Sequence, residues 1–299
     1  MPVRQHTREE RPPLYDERVM DRRTRFSPLR EGHVDASRLE RGAMLAPAAA
    51  NVVMQLARRG VGRGVAKSPV TSGSLMRHPL KRTRTTLAYI WVALYGTDDE
   101  RSDLRRTVDG QHRHVRSHPG DDVAYDAFDA QLQLWVAACM YVGTLQGYEM
   151  LYGPPSDDVA TELLAQCSRF ATTLQVPASQ WPLDRADFSR YWATSLALVE
   201  FDEVTTRYVR DFIELRFIPR PLAAALGPLH RLLCVGFLEA TFREALSLRW
   251  SERDQHHFER WCTVLRRVNQ VLPPALAQFP WNLVRWDTRR RLARGRTVV

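Results

Sequence analysis

Apolar residues recur at helical spacing along most of this chain, beginning near residue 35. A first helical stretch is predicted over about 35–56, with Leu39, Leu45, Val52, Val53 and Leu56 as its apolar positions and Pro47 interrupting it. Gly60, Gly62 and Gly64 then predict a flexible turn. No strand precedes it and no Gly-Lys-Ser/Thr comes after it, so it is not a phosphate loop. Pro79 is a good first helical residue. Leu80, Thr83, Leu87, Ile90 and Leu94 fall on one face behind it, and Gly96 stops that helix.

The next helix is predicted from about Thr97 to Ser117. Thr97 and Glu100 form a capping box, in which the hydroxyl accepts from the backbone and the carboxylate reaches back. The acids at 98–100 suit the positive end of the helix dipole. Leu104, Val108 and Val115 share a stripe, and His112 lies about 60° from its mean direction at helical geometry. Beyond it lies a long helix, roughly Tyr125 to Tyr152, apolar on most sides and therefore central. Ser156 and Asp184 cap two further helices.

Residues 204–217 read equally as a strand or as an amphipathic helix. Pro219, Pro221 and Pro228 punctuate the next segment, and Leu229 to Leu248 is apolar and helical. Ser251 caps a helix to about Leu272, Pro273-Pro274 break it, and a short basic helix ends the chain. There is no Asn-Gly hairpin signal and no fixed-period repeat. The pattern predicts an all-α fold, a single multi-helix domain over 31–290. A basic arm over 1–30, rich in Arg, Glu and Pro, reads as disordered or loosely packed, and 291–299 as a basic tail.

Composition narrows the function classes. The chain has 299 residues and net charge +9, and all but two of its 43 basic residues are arginines. The arginines gather at both ends, but no zinc-finger spacing, RNA-recognition signature or helix-turn-helix accompanies them, so no specific nucleic-acid partner is expected. No uncharged apolar run of spanning length occurs, so no membrane span is expected; peripheral membrane contact through the basic ends stays open. The charged N-terminus is not a secretory signal, which gives a cytoplasmic location. Cys139, Cys167, Cys234 and Cys262 lie far apart in apolar contexts and read as buried thiols.

Candidate chemistry centres on the histidines. His112 and His114 point apart on a helix, whereas His114 and His118, four apart, could share an ion. His256 and His257 read as surface. Spacing alone leaves His112 between a satisfied core histidine and an axial haem ligand. Trp135, Met140, Tyr141 and Phe237 read as core or as the lining of an apolar pocket.

Several segments in order resemble the rubber oxygenase / MpaB-like catalytic domain family, long labelled domain of unknown function 2236. These are Gln55-Leu56-Ala57, Gly64-Val65, Pro79 to Leu87, Tyr95-Gly96-Thr97, the Val108/His112/Val115 run and Leu134-Trp135-Val136. Pro219 to Leu229, Leu246-Ser247-Leu248 and Leu272-Pro273-Pro274 continue it, so that it covers about 35–290. The resemblance implies an all-helical fold with a globin-like haem-binding core. It implies a haem b-dependent oxygenase acting with O₂ on a hydrophobic small molecule, isoprenoids among them; the alternative is a catalytically degenerate helical protein that binds haem or an apolar ligand. His112 would be the axial ligand and hence the metal residue. Arg82 would face a haem propionate or an oxygen intermediate, and Thr86 would be a distal hydrogen-bond donor. The chain departs from the family at Arg58-Arg59, where many relatives have His-Pro, at Ala137, where many have His, and around Ser68-Pro69, where a His-Ser pair is common.

Overall fold

The computed structural model describes residues 36–298. The arm expected over 1–30 lies outside these residues. Among the described residues every regular element is helical. The first stretch divides into α1 (Ala36–Leu39), a 3₁₀ turn at Gly42–Leu45 and α2 (Ala48–Leu56), with Pro47 at the break before α2.

The glycine-spaced segment is helix α3 (Arg59–Ala66), not a flexible turn. Close packing explains the glycines. A Cβ on Gly62 would stand 2.5 Å from Thr205 Cγ2, and one on Gly60 would stand 2.8 Å from Leu132 Cδ1. They permit helix approach where a side chain would not fit.

Helix α4 (Pro79–Tyr95) starts at its proline as expected. Its packed face begins at Leu87 rather than Leu80, which is 87% exposed. Leu87, Ala88, Trp91 and Val92 join Leu104, Trp281, Val284 and Val298 in one buried cluster. The first half of α4 stands clear of that cluster.

Helix α5 (Asp98–His112) carries the expected capping box between Thr97 and Glu100. It ends five residues earlier than predicted. Residues 113–129 form a loop closed by a bridge between Arg116 and Asp126, and Val115 belongs to that loop. The central helix α6 (Ala130–Tyr152) begins at Asp129, whose carboxylate accepts from Gln131 N and Leu132 N. It is buried on several sides, as its composition predicts. Gly143 lets Asn51 of α2 lie against it, and the Asn51 amide donates to the Cys139 carbonyl.

Helix α7 (Asp157–Thr172) packs on α6, and α8 (Arg185–Leu196) starts from its Asp184 cap. The ambiguous segment resolves as helix α9 (Glu203–Ile213), capped by Asp202. Its apolar positions pack as a helix face against α2, α3 and α10, which overrides the β-branched propensity. Helix α10 (Arg220–Gly236) contains Pro228 within it rather than stopping there. A break at Phe237–Leu238 separates it from α11 (Ala240–Ala245). Then come α12 (Glu252–Val271), α13 (Pro274–Ala277) and α14 (Trp281–Leu292). Val298 folds back, buried, and its carbonyl accepts from Arg84 at 3.2 Å. No described helix is long and apolar enough to cross a membrane. Cys139, Cys167 and Cys234 are buried free thiols, and Cys262 is half-buried.

Candidate functional site

Arg82 of α4 lies within electrostatic reach of His112 at the end of α5 and of Tyr208 on α9. Arg82 and Thr86 sit one turn apart on the exposed first half of α4. Solvent reaches Arg82, yet surrounding protein desolvates its guanidinium and pushes its pKa down, with Tyr208 opposing. No carboxylate pairs with Arg82, and no group bonds the Thr86 hydroxyl, among the described residues.

His112 is the last residue of α5. Its Nδ1 is buried and has no hydrogen-bond partner among the described residues. Phe128 meets its ring edge-on at 6.2 Å between centroids. Desolvation pushes the His112 pKa down, Asp109 and Asp126 oppose this, and the Arg82 cation adds to it. The imidazole is therefore held neutral, the form that can ligate a metal.

Tyr208 belongs to α9, and burial pushes its phenol pKa up while Arg82 pulls it down. Helix α9 is held in place by two contacts on α3. Thr205 fits the space at Gly62, and the Arg63 guanidinium bonds both Asp202 and Asp122. Asp109 is fixed from the other side. Gln175 Nε2 donates to its Oδ1, and Gln133 of α6 exchanges hydrogen bonds with Gln175.

The other sequence candidates separate from this group. His114 and His118 are exposed and lie beyond the end of α5, so they lack the one-turn helical relation that would make them a chelating pair. No group of three metal-ligating side chains occurs among the described residues. His256 and His257 are exposed. Trp135, Tyr141 and Phe237 are core residues packed on different partners: Trp135 stacks on Trp192 at 5.2 Å, Tyr141 meets Phe188, and Phe237 meets Phe258. Arg58 lies over the Trp135 ring at 4.5 Å, with Tyr191 and Cys139 nearby, and Ala137 is buried. The two departures thus lie in or against the aromatic core, and Arg58 is not among the charges acting on Arg82 or His112. A surface cleft of about 420 Å³ lined by Val70, Gln111 and His114 includes none of Arg82, Thr86 and His112.

Sequence reasoning missed Tyr208, Asp109 and Gln175. Tyr208 fell in the segment whose period was ambiguous. The Asp109–Gln175 link joins residues 66 apart and leaves no local signal.

The arrangement is that of an all-helical protein in which an arginine without a carboxylate partner among the described residues acts on a histidine that burial holds neutral. The chain belongs to the family described as ER-bound oxygenase mpaB/B′/rubber oxygenase, catalytic domain, whose model matches residues 37–267. Uncharacterized proteins of Mycobacterium bovis and of Mycobacterium tuberculosis are each 44% identical over 256 residues, covering 86% of this chain and all of theirs. No solved structure matches the chain.

Proposed function

We propose that the chain is a haem b-dependent oxygenase that uses O₂ on a hydrophobic small molecule, with isoprenoids the leading substrate class. The oxygenase family supports the reaction class. The observation that carries the cofactor reading is the buried, unpartnered Nδ1 of His112 in an imidazole held neutral. A buried ring nitrogen without a partner is costly unless something else compensates it, and a neutral imidazole is the form that would hold an iron.

In this reading His112 holds the haem iron, which supplies the oxygen chemistry when bound. Arg82 would hold an anionic group of that cofactor, such as a propionate, because it is a desolvated cation with no carboxylate partner among the described residues. Thr86 offers a hydroxyl one turn along the same face and would supply a hydrogen-bond donor beside Arg82. Tyr208 is held protonated and keeps a donor beside Arg82.

Oxygen uptake by the haem-loaded protein with an isoprenoid substrate tests the reaction class. Uptake that depends on both substrate and Arg82 supports it. Stable haem binding with no uptake on any apolar substrate supports a degenerate binder instead.

A further inference from the structure

The helices α12 to α14 expose an apolar surface that the protein's own core does not need. Eight of the fifteen large apolar side chains exposed among the described residues fall within residues 261–286. Scattered exposed apolar residues are ordinary, and a concentrated set marks an interaction surface.

On α12, Trp261, Val264, Val268 and Val271 recur at three- and four-residue steps and are 41%, 45%, 43% and 81% exposed. At 100° per residue they span an arc of about 80°. Phe258 and Asn269, on another side of the same helix, are buried. This helix therefore has two apolar faces, one spent on the fold and one free. In the connection beyond, Leu276 and Phe279 are also exposed, at 61% and 57%. On α14, Leu283 and Trp286 are 54% and 59% exposed, about 60° apart around the helix.

Cations border this surface. Arg260 and Arg267 are exposed on α12, at the edge of its free arc, and neither has a carboxylate partner among the described residues. On α14, Trp286 lies in a groove of about 480 Å³ lined also by Arg285, Arg289 and Arg290. The Arg290 guanidinium lies over the Trp286 ring at 5.1 Å, and Arg289 lies over Trp91 at 5.6 Å. Neither Arg289 nor Arg290 pairs with a carboxylate among the described residues. Arg285 is bound to Glu40 at 3.1 Å.

We infer that the α12–α14 surface docks on an anionic lipid bilayer. The apolar side chains would enter the headgroup boundary, and the arginines would meet lipid phosphates. Charge selects this occupant over a second copy of the chain. A second copy would bring the same unpaired arginines into the same contact and add like-charge repulsion at a desolvated interface. Tryptophan and arginine at the rim also suit a headgroup layer, where one part of each side chain is apolar and the other polar. The surface is joined to the helix that carries Arg82 and Thr86. Helix α14 packs on α4 through Trp281 and Val284, and Arg84 of α4 lies 3.3 Å from Asp287. Docking there would bring the helix bearing Arg82 and Thr86 near a lipid store of apolar substrate.

Flotation of the full chain with vesicles tests this without any cofactor. The probes are vesicles of phosphatidylcholine alone and of phosphatidylcholine mixed with phosphatidylglycerol. The protein is expected to float with the mixed vesicles only, and high salt is expected to release most of it. The double variant Arg289→Gln/Arg290→Gln is expected to lower partitioning about fivefold per charge removed. The double variant Val271→Ser/Trp286→Ser is expected to abolish flotation. These residues are exposed, so an unchanged circular dichroism spectrum is expected for both variants. No flotation, equal flotation with both compositions, or flotation indifferent to the variants would overturn the inference. So would a dimer in light scattering that Trp286→Ser dissociates, which would assign the surface to a second copy.

Discussion

Gln175 Nε2 donates to Asp109 Oδ1 at 2.6 Å, and so ties the segment after α7 to the last turn of α5. Asp109 is three residues before His112 and is the first charge that opposes its depressed pKa. Replacing Asp109 with Asn keeps the shape and removes that charge. The His112 pKa is then expected to fall further, read from its ring proton shifts during an NMR titration of the haem-free protein. An unchanged titration would mean that the carboxylate does not act on the imidazole.

Arg82 should act on the same titration with the opposite sign. Its cation lowers the His112 pKa, so Arg82→Gln is expected to raise it. In the haem-loaded protein the same change is expected to cost about 10- to 100-fold in turnover, the worth of a charged hydrogen bond. Thr86→Val is expected to cost less, about two- to tenfold, as for a neutral one. Full activity in both variants would remove these residues from the site.

Acid should weaken the fold through its buried histidines. Burial lowers the pKa of His112 and His230, and the His230 Nδ1 donates to the Ile213 carbonyl at 3.0 Å. The unfolded chain then binds more protons than the folded one as pH falls below the ordinary value of 6.5. Stability is complete above that value and is lost as pH falls through the folded-state values. The urea midpoint is expected to drop across this window, and His230→Asn is expected to flatten the drop. A midpoint that does not change there would contradict the assignment.

Gly62 should tolerate no side chain. A Cβ there would meet Thr205 at 2.5 Å and the Leu56 carbonyl at 2.7 Å, and neither can move without shifting a helix. Gly62→Ala is expected to cost about 1–3 kcal/mol by overpacking, measured by urea denaturation. Wild-type stability would show that α3 and α9 are not in close contact.

Much of this fold was legible in the chain because helix signals are local. The Thr97–Glu100 box, the Ser156, Asp184 and Ser251 caps and Pro79 at a helix start each depend on residues within one turn. The glycines of α3 misled because their reason is tertiary: Gly62 is small for Thr205, 143 residues away. The end of α5 was overrun because Val115 continues the apolar period but serves the loop, where its carbonyl accepts from Ala127. At the site, Arg82 and Thr86 were legible as one helix face, and His112 as the edge of a stripe. Their electrostatic neighbours were not, because Tyr208 and Gln175 arrive from segments distant in sequence.

The central claim is that His112 ligates haem iron. Haem titrated into the purified protein, monitored by its absorption spectrum, tests it most directly. A saturable Soret band is expected for the wild type and for His114→Ala, and its loss is expected for His112→Ala with the circular dichroism spectrum unchanged. No haem uptake by the wild type, or a full Soret band in His112→Ala, would contradict it.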